Sequence, residues 1–226
     1  MTRKQQEVET EPMPPRLTAK LSPEADDSRA RATRGRARAR QIMEVAERLF
    51  NEHGFSETSM DDIANAVGIL KGSLYYYIRT KGDLLFQIAS AVHDVVDEKT
   101  AEAQGREDLS PLDRVVHFVE SQVQYNAHNV VRIAVYHHEW RRLTGPHLEE
   151  IRRRRHDHAV AMRGLLELAR ETGEIPADTD LDLALNNVFA VTIWPYTWYH
   201  EGGAVSPERL AKSCAEFVRR ALVYRA

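Results

Sequence analysis

From Arg36 onward the chain places apolar residues at helical spacing, and the first such face is Ile42, Val45, Ala46, Leu49 and Phe50, with Gly54 standing where a C-terminal cap belongs. A second helix is expected after Thr58-Ser59, whose hydroxyls suit a helix start, and it runs through Ile63, Ala64 and Val67 to Gly68. A third covers Lys71–Ile78. Thr80 then opens a long amphipathic helix carrying Leu84, Leu85, Ile88, Val92 and Val95 and ending at Gly105, and Ser110-Pro111 opens another that reaches His128. Further helices are expected over Val130–Leu143, Pro146–Thr172, Leu181–His200 and Pro207–Tyr224. Without a convincing alternating stretch or an internal repeat of roughly 20–50 residues, the pattern predicts an all-α protein of about nine helices.

Composition changes this picture at the N-terminus. Residues 1–28 are rich in Pro, Glu, Ser and Asp with little to build a core, so residues 1–35 are read as a disordered arm. The net charge of −3 is unpromising for a nucleic-acid binder, but its distribution is not even: Arg29–Ala89 holds ten basic against seven acidic residues, and Ser90–Ala226 seventeen against twenty-one. Six arginines fall within Arg29–Arg40, enough to neutralise phosphates and release counterions, although a solvated basic arm has the same composition. One cysteine, Cys214, excludes an internal disulfide framework, and neither a signal-type segment nor a long apolar run is present. The expectation is a cytoplasmic protein without a membrane partner.

The stretch with most chemistry is Thr58-Ser-Met-Asp-Asp-Ile-Ala-Asn-Ala-Val-Gly-Ile-Leu-Lys-Gly-Ser-Leu-Tyr-Tyr-Tyr-Ile-Arg-Thr-Lys81, which has helix-turn-helix spacing with the motif over residues 60–79. Ile63, Ala64 and Val67 hold the first helix against the bundle, small Ala64 permits close crossing, and Gly68 supplies the backbone freedom of the turn. The second helix then offers Lys71, Gly72 and Ser73 at its start and Tyr75, Tyr76 and Tyr77 along it. At about 100° per residue three successive tyrosines do not share a face, so at least one packs inward and the others are free for thymine methyls and phosphates. A buried aromatic cluster on a short structural helix is the bland alternative.

At these residues the chain resembles the TetR family of one-component repressors, closely across residues 36–97. The resemblance implies an N-terminal helix-turn-helix DNA-binding domain over 36–97 and an effector-binding and dimerisation domain over 98–226. It also implies DNA contacts from Thr58, Lys71, Gly72, Ser73, Tyr75, Tyr76, Tyr77 and Lys81. A homodimer on a palindromic double-stranded operator follows from it, built from the last two long helices. The sequence is compatible with that interface through two apolar stripes, which include Leu185 and Val188 on one helix and Leu210, Phe217 and Ala221 on the other; each stripe alone equally suits a monomer core.

Between head and last helix lie Tyr125, His128, Tyr136, His137, Trp140, Phe189, Trp194, Tyr196 and Trp198, a supply of apolar wall and placed polar groups from which an effector pocket can be built, or a core packed. Tyr136-His-His-Glu-Trp-Arg-Arg-Leu143 and Trp198-Tyr-His-Glu-Gly-Gly203 give a looser resemblance to TetR-type regulators of lipid and steroid-ring catabolism, which implies an acyl-CoA thioester as effector. Arg141, Arg142 and Arg152–Arg155 then become candidates for its phosphates or carboxylates, against a solvated face paired with Glu149 and Glu150. His137, His138, His156 and His158 are spaced so that no two neighbours in sequence share a helix face, and no metal site or cofactor is expected.

Nucleotide-binding glycine loops, a Gly-x-Ser-x-Gly elbow and His-Glu-x-x-His are all missing, which excludes the common enzyme classes. The reading is therefore a DNA-binding repressor released by a small hydrophobic effector. A constitutive or architectural DNA-binding protein and a drug-responsive efflux repressor are the alternatives.

Overall fold

The structure is a computed structural model that describes residues 23–224, with side chains from Thr33 onward. The described residues fall into two compact units, divided between Arg38 and Ala39. Of the arm expected over 1–35, residues 1–22 lie outside the described residues, whereas residues 23–35 are helical.

Among the described residues there are nine α-helices, two short 3-10 turns and no strand. They are α1 (Pro23–His53), α2 (Met60–Val67), α3 (Lys71–Tyr77), α4 (Lys81–Gly105), α5 (Pro111–His128), α6 (Val130–Glu139), α7 (Gly145–Glu171), α8 (Leu181–Ile193) and α9 (Pro207–Val223). Side-chain caps explain most starts. Ser59 and Thr80 each accept from the amide of the third helical residue while Asp62 and Asp83 reach back to the cap amide, so α2 and α4 both open with a capping box. Ser110, Asp180 and Ser206 cap α5, α8 and α9.

Two expected helices end early. The helix expected over Val130–Leu143 closes at Glu139 and tightens into a 3-10 turn at Trp140–Arg142, and that over Leu181–His200 gives way to a 3-10 turn at Trp194–Thr197. Pro195 explains the second, because it has no N–H to continue the ladder. No helix is long and apolar enough to cross a membrane among the described residues.

The Ala39–Ala226 unit is packed around two apolar clusters. One combines Phe118, Val119, Met162, Leu166, Val188, Leu210 and Val218 from α5, α7, α8 and α9. The other joins α1–α3 and the first half of α4 to Ile133, Tyr136, Trp140, Leu143 and Ile151, so α6 and its following turn share a core with the N-terminal helices. The distribution of apolar side chains thus does not follow the division at residue 97 that the sequence suggests.

Candidate functional site

The helix-turn-helix is assembled from its buried positions outward. Ile63, Ala64 and Val67 of α2 and Leu74 of α3 are buried. Gly68, at φ 75°, adopts the left-handed conformation that ends α2, its amide donating back to Ala64 and Asn65. With Leu74 and the following Ile78 pinned, the remaining face of α3 is turned to solvent. Lys71, Gly72 and Ser73 are exposed, Tyr76 is 86% exposed and Tyr75 about half so, while Tyr77 packs against the core and meets the Tyr76 ring edge-on at 5.4 Å. Tyr77 is the inward tyrosine. Lys71 Nζ is held 2.8 Å from Asp61 Oδ2 on α2, an exposed pair.

Two residues of the expected DNA-contacting set sit differently. Thr58 is 2% exposed, and its hydroxyl is oriented toward the carbonyls of Leu49 and Gly54. Lys81 directs its ammonium into the turn between α1 and α2, donating to the carbonyls of Phe55 at 2.6 Å, Ser56 at 3.1 Å and Thr58 at 2.7 Å, and it lies over the Phe55 ring. Both side chains brace that turn instead of standing on the surface.

A cavity of about 330 Å³ opens among α4, α5, α6, α7 and α8. At about 30 Å³ per water molecule this is room for roughly ten waters. Its apolar wall includes Val92, Val96, Phe118, Ile133, Leu185, Phe189 and Ile193; its polar groups are His93, Gln122, Asn126, Tyr136, His137, Arg155, His156, His158, Asn186 and Thr192. Of the expected ligand set, Tyr136, His137 and Phe189 line it. Tyr125, His128, Trp140 and Tyr196 do not, and Trp194 and Trp198 are surface residues, the former 64% exposed. Trp140 supports the wall from behind, with the Arg155 guanidinium 4.7 Å from its ring centroid.

The wall's electrostatics follow from burial. His93 and His137 are pushed down to about 3 and His158 to about 4, burial being the main cause and the charge of nearby Arg155 the next one for His137 and His158. For His93 the neighbouring Arg154 and Arg155 both add to it. All three rings are therefore neutral near pH 7. Burial likewise raises the Tyr136 hydroxyl. Arg154 is tied to Asp94 and Asp97, and Arg153 to Glu150 and Asp157, so two of the four arginines of the run form a salt-bridged face. Arg155 is the member at the cavity; among the described residues it has no carboxylate partner and donates to Tyr136 Oη at 2.9 Å.

The sequence reading missed His93, Gln122, Asn126 and His158 as cavity groups. Gln122 and Asn126 are one helical turn apart on the buried stripe of α5, between Val115, Val119 and Val123, and polar residues on an apolar face are a signal that was available. Three polar links tie the cavity side to the N-terminal helices: Glu139 Oε1 accepts from the Phe55 amide at 3.1 Å, Arg132 pairs with Glu47 at 2.7 Å, and His147 meets Asp83 at 3.0 Å. Burial pushes the Glu47 carboxyl up, and Arg132 opposes it.

The expected interface stripes divide in two. Leu185 lines the cavity, Val188 and Leu210 are buried in the protomer core, whereas Phe217 is 62% exposed and Ala221 is exposed beside it in sequence register on α9. Phe217 and Ala221 line a second groove, of about 270 Å³, with Leu183, Asn187, Val191 and Tyr224.

Residues 42–88 match the family model for bacterial regulatory proteins of the tetR family, and residues 108–222 match that for the tetracyclin repressor-like C-terminal domain. The HTH-type transcriptional repressor KstR2 of Rhodococcus jostii is 27% identical over 87% of this chain and 94% of its own, and KstR2 of Mycolicibacterium smegmatis is 24% identical over 78% and 86%. Among solved structures, the ketosteroid transcriptional regulator KstR2 of Mycobacterium tuberculosis aligns with a TM-score of 0.78 at 23% identity, covering 83% of this chain and 96% of that one. AibR in complex with isovaleryl coenzyme A and operator DNA aligns with a TM-score of 0.70 at 25% identity, covering 80% and 97%. With both of its halves matched and a helix-turn-helix of the right build, this chain belongs to the TetR family of transcriptional regulators.

Proposed function

We propose that the protein is a cytoplasmic, homodimeric repressor of double-stranded operator DNA that is released when a small hydrophobic effector, an acyl-CoA thioester, occupies the α4–α8 cavity. The observation that carries this reading is that α4 and α6 line the cavity and also share an apolar core with the helix-turn-helix. A ligand that moves either helix by a small amount moves the head. To act as a clean switch it must favour the released state by several kcal/mol.

On the DNA side the exposed set Lys71, Gly72, Ser73, Tyr75 and Tyr76 is proposed to reach the major groove and its phosphates, with Thr58, Tyr77 and Lys81 supporting the helix that carries them. A second copy is proposed to cover Leu183, Phe217 and Tyr224, large apolar side chains of α8, α9 and its end that the protomer leaves in water, together with the exposed Ala221 between them. The effector class is supported by the isovaleryl coenzyme A complex of AibR and by Arg155 at the cavity, a guanidinium without a carboxylate partner among the described residues. The cavity has room for an acyl group but not for the whole coenzyme, whose remainder must stay outside.

The test is a mobility-shift titration on DNA from the protein's own upstream region, with and without a panel of acyl-CoA thioesters. Saturable binding abolished by one thioester is expected. Binding that no thioester disturbs would refute the effector class while keeping the regulator, and absence of saturable binding would refute the repressor.

A further inference from the structure

Among the described residues the two most exposed large apolar side chains, Tyr76 at 86% and Leu70 at 80%, fall in the same short stretch of the helix-turn-helix. Tyr76 belongs to the DNA-facing set proposed above; Leu70 stands outside it.

Leu70 is not exposed through slackness of the turn. Ile69 before it packs partly against the core, with its amide bound to the Ala64 carbonyl at 3.0 Å, and Leu74 after it is fully buried. The Leu70 carbonyl accepts from the amides of Ser73 at 2.9 Å and Leu74 at 3.2 Å, so the extended backbone, at φ −68° and ψ 144°, is pinned on both sides and the side chain is held outward. Nor does the position serve the helix. Leu70 is the N-cap of α3, the place where Ser59 and Thr80 cap α2 and α4 with their hydroxyls, and it makes no side-chain cap bond. A leucine that leaves its helix uncapped and is held in water by a fixed backbone breaks two local rules at once, and such breaches collect at functional positions. Gly72, two residues on, leaves the surface open: a Cβ there would meet nothing within 4 Å.

The neighbours limit the occupant. Leu70 adjoins the exposed Lys71, Gly72 and Ser73 at the start of the recognition helix, and residues there are the ones that reach base edges in the major groove. Those edges are hydrogen-bonding groups with one apolar exception, the C5 methyl of thymine. A leucine laid on a donor or acceptor strips its water and returns nothing, whereas on the methyl it buries apolar surface on both sides. We infer that Leu70 reads a thymine in each operator half-site through its C5 methyl, and is a specificity-determining residue of the head. This rests on the operator reading above and deepens it.

The experiment takes duplexes that the full-length protein selects from a random-sequence pool and replaces each thymine of the selected site by deoxyuridine, which keeps its pairing and lacks only the methyl. In mobility-shift titrations one thymine per half-site is expected to lose affinity about fourfold when so replaced, the contribution of one buried methyl, and about fifteenfold when both half-sites are changed. Leu70→Ala, an equally poor cap at an exposed position, should keep the melting temperature within about 2 °C, bind the thymine duplex more weakly, and bind thymine and deoxyuridine duplexes within about twofold of each other. Leu70→Ser, which restores a capping hydroxyl, gives the same reading should the alanine variant fold poorly. Tyr76→Ala should weaken both duplexes and keep their ratio. A selected site in which no thymine methyl matters, or a methyl preference that survives both Leu70 variants or vanishes in Tyr76→Ala, would overturn the inference and leave the operator reading intact. If no duplex is selected, both fall.

Discussion

Replacing Lys81 by Met removes the ammonium and keeps most of the stem, and it separates two roles that one lysine at a head-to-α4 junction can have. In the structure the ammonium donates to three backbone carbonyls of the α1–α2 connection at 2.6, 3.1 and 2.7 Å and lies 4.5 Å from the Phe55 ring centroid. A hydrogen bond to a charged group contributes about 1.5–3 kcal/mol, and a cation over an aromatic ring about 0.5–1 kcal/mol when exposed. Water reaches Ser56 and replaces part of what is lost, so the net destabilisation should be about 2–4 kcal/mol. With a urea slope of about 1–3 kcal/mol/M, the unfolding midpoint should fall by about 1 M or more at matched protomer concentration. On operator DNA, under conditions where the variant is folded, the dependence of log K on log salt should keep its slope. A phosphate contact would instead flatten that slope by about 0.9, one released counterion. An unchanged urea midpoint together with a flattened salt slope would refute the bracing role and return Lys81 to the DNA surface.

Tyr76→Ala should change stability by less than about 0.5 kcal/mol, because the ring is almost fully in water, yet lower operator affinity at least about tenfold in the mobility-shift assay; equal affinity would remove Tyr76 from the contacting set. Arg132→Met strands Glu47 in its buried position and should cost about 3–5 kcal/mol in thermal or urea unfolding, while the double variant Glu47→Leu/Arg132→Met recovers much of it; additive losses would contradict the pairing. Phe217→Glu should shift the sedimentation of a dimer toward monomer, and a dimer unaffected by it would exclude the α9 face as the interface. Stability should also fall on acidification. His93, His137 and His158 have folded values of about 3, 3 and 4 against 6.5 when free, so the unfolded chain takes up the extra protons; stability is complete above about pH 6.5 and is lost as the pH falls toward 4 and 3. Between pH 7 and pH 5 the loss reaches roughly 2 kcal/mol per histidine as an upper bound, and a urea midpoint that is flat over that range would show the rings to be charged or solvated.

The helices and the helix-turn-helix were legible because their signals are local. Ser59 and Thr80 announce capping boxes, Gly68 a left-handed turn, and the spacing of Ile63, Ala64, Val67 and Leu74 a packed face. What was illegible depends on contacts distant in sequence. Nothing near Lys81 says that its ammonium folds back across 23–26 residues onto carbonyls. The aromatic count around Trp194 and Trp198 suggested a pocket, but Pro195 breaks α8 there and both indoles end at the surface. The cavity is instead built from residues contributed one or two per turn by five helices; Tyr136, His137 and Phe189 were named for it from the sequence, and the Gln122–Asn126 pair on a buried stripe was a local signal that went unread.

The apolar cluster shared between α1–α4 and α6 bears on how such regulators can be recombined. A chimaera cut in the Arg106–Leu109 connection that follows α4 would give the incoming reading head a lining of Ile133, Tyr136, Trp140 and Leu143 evolved for another partner. Because cores tolerate misfit of even a methylene poorly, a graft of that kind should express as an uncoupled or unstable hybrid. The transplantable module is discontinuous: helices α1 to α4 travel with residues 130–151, and the sensor that can be exchanged is what remains.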